Sequence, residues 1–81
     1  LRLTPTEIDM RMIGNVDTVK DHLRDIIARR EDAIVSLANA RTTARRNEIR
    51  DYIAGRDLEI EMNTITIVNL FGETDFSLDS L

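Results

Sequence analysis

The sequence predicts an all-α protein, a helical hairpin of two long antiparallel helices that is preceded by a short N-terminal helix and expected to dimerise into a four-helix arrangement. Three observations predict it. Apolar residues recur at intervals of three and four along most of the 81 residues, the spacing that gathers them on one side of a helix. Helix-start and helix-stop residues frame those runs, with Pro5 at a start and Gly14 and Gly72 at stops. The chain has no Cys and a single His, His22, so neither disulfides nor a zinc cluster can support a core this small, and association with a second chain is the remaining source of support.

The first element is read from Thr4, Pro5 and Glu7. Thr4 can cap, Pro5 suits the first helical position, and Glu7 can return a hydrogen bond to the cap. A short helix to about Ile13 follows, stopped by Gly14, with Asn15 or Asp17 placed to cap the next one.

The second helix is expected from about 17 to 40, carried by Val16, Val19, Leu23, Ile26, Ile27, Ile34 and Leu37. Val19, Leu23, Ile27, Ile34 and Leu37 are its candidate seam. On the polar side Asp21 with Arg24, and Asp25 with Arg29, stand three and four apart in the favourable acid-first order. Arg30 interrupts the apolar side, so its stem either reaches to the edge or meets an acid there.

Residues 39–44 lack a large apolar side chain and hold two adjacent Thr, which makes them the connection between the long helices; one bent helix through the same stretch is the alternative. Beyond it Ile49, Ile53, Arg56, Ile60, Asn63, Ile67 and Leu70 make a coiled-coil-like row from about 44 to 71. Ile49, Ile53, Ile60 and Ile67 are the candidate seam, with Arg30, Arg56 and Asn63 as polar, register-setting positions. Locally, Leu58 to Met62 and Ile65 to Ile67 alternate with period two, as in a β-hairpin. The helix is preferred, because an isolated two-stranded hairpin is marginal in water and Asn63-Thr64 is a weak turn. The chain is thus divided into one helical domain, 1–72, and an acidic, flexible tail, 73–81.

Charge is polarised along the chain. Residues 57–81 carry six acids and no Lys or Arg, whereas residues 41–56 carry Arg41, Arg45, Arg46, Arg50 and Arg56 against Glu48 and Asp51. Ten of the eleven basic residues are Arg, the side chain suited to forked contacts with carboxylate or phosphate. These five Arg are the candidate partner-binding residues, with the tail or the Glu59 and Glu61 side as the expected counter-charge, in the same chain or a second copy. In the tail, Phe76, Leu78 and Leu81 alternate with acids and form a candidate docking motif.

Covalent chemistry is not expected. A lone His flanked by Asp21 and Asp25 reads as a solvated surface residue, no Ser sits in a nucleophile elbow, and the three Gly at 14, 55 and 72 are too scattered for a phosphate loop. The acids at 57, 59 and 61 lack the Asp, Asn and Gly pattern of a calcium loop, so neither metal nor cofactor is expected. No apolar run approaches the roughly 20 residues that span a bilayer and no secretory pattern opens the chain, so a soluble, cytoplasmic protein is expected. The functional expectation is a protein-interaction module, such as a regulator, adaptor or chaperone-like protein, that homodimerises and binds a partner protein through helical faces and its Arg-rich segment. Two alternatives stand beside it. One is a nucleic-acid-associated protein contacting phosphates through Arg41, Arg45, Arg46 and Arg50, which the net charge of −4 and the single nearby aromatic, Tyr52, disfavour. The other is a subunit that polymerises through an exposed apolar side.

Overall fold

A computed structural model describes residues 15–81 and shows two long helices packed together, α1 (Val16–Asn39) and α2 (Thr43–Asn69), followed by a short 3-10 turn (Leu78–Ser80). The expected short N-terminal helix, with Thr4, Pro5 and Gly14, lies outside the described residues.

Each boundary has a local cause. The Asn15 side chain accepts a hydrogen bond from the Asp17 N–H (2.8 Å) and caps α1, and Thr42 accepts from the Arg45 N–H (3.1 Å) and caps α2. Such caps each stabilise by about 1 kcal/mol because they satisfy amide donors that have no partner inside the helix. Between the helices, Ala40 and Thr42 adopt extended backbone, so the chain reverses in three residues without Gly or Pro. Arg46 closes this turn by donating from Nε to the Ala40 carbonyl (3.1 Å). The single bent helix considered from the sequence is therefore replaced by a tight hairpin.

α2 stays helical through the stretch whose period-two pattern resembled a β-hairpin. Thr64 and Thr66 each donate their hydroxyl to the carbonyl four residues back, Ile60 (2.7 Å) and Met62 (3.0 Å), which is how β-branched polar residues are accommodated within a helix. Gly72, with φ of 76°, then takes the left-handed conformation that ends the run, and the Glu73 N–H donates to the Ile67 carbonyl (3.2 Å).

The interhelical seam follows a regular three-and-four spacing. On α2, Ile49, Asn63 and Ile67 are buried, and Ile53, Arg56 and Ile60 are half-buried between them. On α1, Val19, Leu23, Ile26 and Ala33 are buried. The α1 expectation is corrected here: Ile34 is 42% exposed, Ile27 and Leu37 are half-buried, and Ile26 and Ala33 take the inner positions. Apolar or small residues stand at 26 and 27 and again at 33 and 34, so α1 offers two nearly equivalent sides. Packing against α2 selects the one in strict three-four register with Leu23 and Leu37.

The core proper lies at the open end of the hairpin, away from the turn. Val19, Leu23 and Ile67 are fully buried there, with Val16, Ile27, Ile60, Phe71, Phe76 and Leu81 packed around them. Burying a side chain such as Leu23 or Ile67 stabilises by about 1.5–3 kcal/mol. Residues 73–81, which the sequence suggested as a flexible tail, return across this end. Lys20 Nζ sits 3.0 Å and 2.9 Å from the two Glu73 carboxylate oxygens and 5.6 Å from the Phe76 ring centre, so one cation holds both an acid and an aromatic ring of this segment.

Candidate functional site

The opposite end of the molecule is built differently. Ala33 is the small residue that faces Ile49 as the helices approach the turn, and the space beside them forms an open groove of about 520 Å³. Ala33, Ile49 and Tyr52 supply its apolar floor, and Arg29, Asp32, Arg45 and Glu48 its charged sides. Two of those cations are already held within their own helices, Arg29 by Asp25 (3.0 Å) and Arg45 by Glu48 (3.1 Å). Pairs this exposed contribute only about 0.2–1 kcal/mol each, so they position the guanidinium groups without locking them.

The five candidate Arg are not equivalent. Arg41 lies exposed in the turn, outside α2, so it does not share a helical side with Arg45 as a continuous helix would require. Arg46 is partly committed to the Ala40 carbonyl. Arg50 is exposed, and among the described residues neither it nor Arg41 makes an ion pair. Arg56 departs furthest from the expected partner-binding role. It sits in the seam, pairs with Glu59, and its guanidinium carbon lies 4.6 Å from the Tyr52 ring centre. The Tyr52 side chain is also the largest cause of its raised pKa; burial opposes it as the next effect, and Glu59 adds to the rise. Tyr52 is thus an aromatic shelf for an arginine of its own helix.

The counter-charges are local too. The tail lies at the far end of α2 from the turn, so within one chain it does not face Arg41, Arg45 and Arg46; Glu48 and Glu59 answer the Arg instead. Arg30, expected either to reach the edge or to meet an acid, pairs across the hairpin with Asp57. Of the candidate tail motif, Phe76 and Leu81 pack on the hairpin's own core and Leu78 is exposed. His22 is exposed on α1. Among the described residues no group of three His, Asp or Glu side chains is placed to hold a metal, and no helix is long and apolar enough to cross a membrane.

A second surface was not singled out from the sequence. Leu58, Met62 and Ile65 are 57%, 38% and 49% exposed, and at intervals of four and three they form a row on α2 facing away from the seam. The signal is present as helical spacing, but the local sequence also alternates in a strand-like way that places Leu58, Ile60 and Met62 on one side. The helix separates them: Ile60 turns inward and Leu58 and Met62 turn outward.

Comparison of the chain with family models, with curated proteins and with solved structures finds no match.

Proposed function

We propose that this chain is a small protein-interaction module, which associates with a second copy through α2 and holds a partner protein at its Arg-rich turn. The observation that carries the reading is the outward row Leu58, Met62 and Ile65 on a helix whose other side already forms the hairpin seam. A helix with apolar residues on opposite sides is matched to neighbours on both, and α1 occupies one. The turn end adds a surface of complementary chemistry: an apolar floor of Ala33 and Ile49, edged by Arg45 and followed by the exposed Arg41. Such a combination suits an acidic, partly apolar protein segment, with guanidinium groups contacting carboxylates in pairs. Catalysis plays no part in this reading.

The experiment is affinity capture at low salt with the wild-type chain and the triple variant Arg41→Glu, Arg45→Glu, Arg46→Glu, alongside native mass by light scattering at several concentrations. A protein retained by the wild type and lost from the triple variant, with a mass near twice 9.3 kDa, is the expected result. A monomer that retains no protein in either form would sink the proposal. Retention of DNA or RNA of unrelated sequences, falling steeply with salt, would move the assignment to a phosphate backbone. Mass growing beyond a dimer with concentration would instead identify a self-assembling subunit.

A further inference from the structure

The outward side of α2 has a composition gradient that specifies how a second copy would sit on it. Counting back from Leu58 by helical intervals, the row continues through Gly55, Ala54, Asp51 and Asn47, all small or short side chains. Counting forward it continues through Met62 and Ile65, which are long and exposed. Half of the row is therefore relief and half is recess.

Gly55 marks the boundary between the halves. It lies in the middle of a 27-residue helix, where Gly is less favourable than Ala by about 0.8–1.0 kcal/mol. No turn or positive φ calls for it, since its backbone is helical and Gly72 is the only positive-φ residue among the described ones. A Cβ at Gly55 would meet no atom within 4 Å other than its own helix backbone and chain neighbours. The chain's own packing thus gives no reason for a glycine there, whereas close approach of another helix does.

Charge fixes the direction. Arg50 and Glu61 are both exposed, flank the same side of the row, and make no ion pair among the described residues. They are separated by 11 residues, about three helical turns, and their midpoint falls between Gly55 and Arg56. In an antiparallel pair of helices related by a two-fold axis, like flanks face one another, so Arg50 of each copy meets Glu61 of the other when the axis passes beside Gly55. The same axis brings Leu58 to within one residue of Ala54 and Ile65 to within one residue of Asn47 of the other copy. A two-fold parallel pairing would bring opposite flanks together, so Arg50 would not meet Glu61, and long side chains would lie against long.

We propose that two copies pack α2 on α2, antiparallel, across a two-fold axis at Gly55, with Leu58, Met62 and Ile65 of each copy on the small-residue half of the other and Arg50 opposite Glu61. This rests on the self-association in the reading above and deepens it. Because α1 occupies the opposite side of α2, the four long helices form a flat layer in the order α1, α2, α2, α1, which leaves both Arg-rich turns at its far ends.

The test uses the full chain and light scattering over a concentration series, with circular dichroism melting as the measure of fold. Gly55→Leu is expected to be monomeric at concentrations where the wild type is dimeric while melting no lower than the wild-type monomer, since a Cβ at this position meets nothing in its own chain and Leu favours the helix over Gly. Arg50→Glu and Glu61→Arg are each expected to weaken the dimer roughly tenfold, and the double variant to restore it to within about threefold. A wild type that stays monomeric throughout would overturn this packing and the self-association together. A dimer that survives Gly55→Leu and gains nothing from the double charge swap would overturn the antiparallel packing while leaving self-association through another surface in place.

Discussion

The two ends of the hairpin use the same pair of helices to opposite effect. At the open end, large side chains meet: Val19, Leu23 and Ile67 are sealed by Phe71, Phe76 and Leu81, and Lys20 fastens the returning chain through Glu73. At the turn end, Ala33 faces Ile49, no segment among the described residues crosses over them, and the groove between charged residues is open. Stability is therefore concentrated away from the turn, and the surface suited to a partner lies where the helices are least filled. The comparison teaches that side-chain volume along the seam separates a supporting end from a presenting end, because backbone geometry is common to both.

Four substitutions test this division, and the largest effect belongs to the open end. Leu23→Ala, which removes a side chain with no exposed surface, is expected to lower stability by about 2–5 kcal/mol through lost burial and the cavity left behind. Chemical denaturation would measure it, and a loss below about 1 kcal/mol would show that the core does not lie where Leu23, Val19 and Ile67 meet. Next, Phe76→Ala should cost about 1 kcal/mol, because its ring is half-buried and carries the contact to Lys20. Hydrogen exchange should quicken at the amides around Val19 and Ile67 and stay unchanged near Thr42; uniform quickening would contradict a segment that supports one end.

At the turn end the sign reverses. Ala33→Met places added apolar volume into the groove and is expected to stabilise by about 1 kcal/mol while reducing partner capture, so a destabilised variant would mean that the space is already filled. The smallest effect is expected from Arg30→Ala. Its pair with Asp57 joins the helices between the two ends, but both side chains are more than a third exposed or close to it. A change of about 0.2–1 kcal/mol, shrinking with added salt, is expected from thermal melting; a salt-independent loss of several kcal/mol would place this pair in the core instead.

The α2 seam was legible in the sequence from Ile49 to Ile67, though not at Leu70, which is exposed. Ile49, Ile53, Ile60 and Ile67 keep one register across 18 positions, and the polar members Arg56 and Asn63 fall within it. Asn63 is 3% exposed and donates to the Glu59 carbonyl (2.7 Å), so the buried amide is satisfied by its own helix. The outward row was less legible, because Leu58 and Met62 fit a strand as well as a helix until the length of α2 decides between them. The groove was not legible at all, since it exists only where Ala33 of one helix comes opposite Ile49 of the other.

By itself the sequence determined two long helices, a cap at Asn15 or Asp17, the stop at Gly72 and the polarity of charge, because each depends on residues within a few positions of one another. Which side of α1 turns inward, which acid meets Arg30, and where Phe76 and Leu81 come to rest were decided only by the tertiary structure. The physical reason is that α1 presents apolar sides at 26 and 27 and at 33 and 34 with nearly equal local merit. Only the volume and register of α2 distinguish them, and that partner is distant along the chain, 16 residues away for Ala33 and Ile49 and 27 for Arg30 and Asp57.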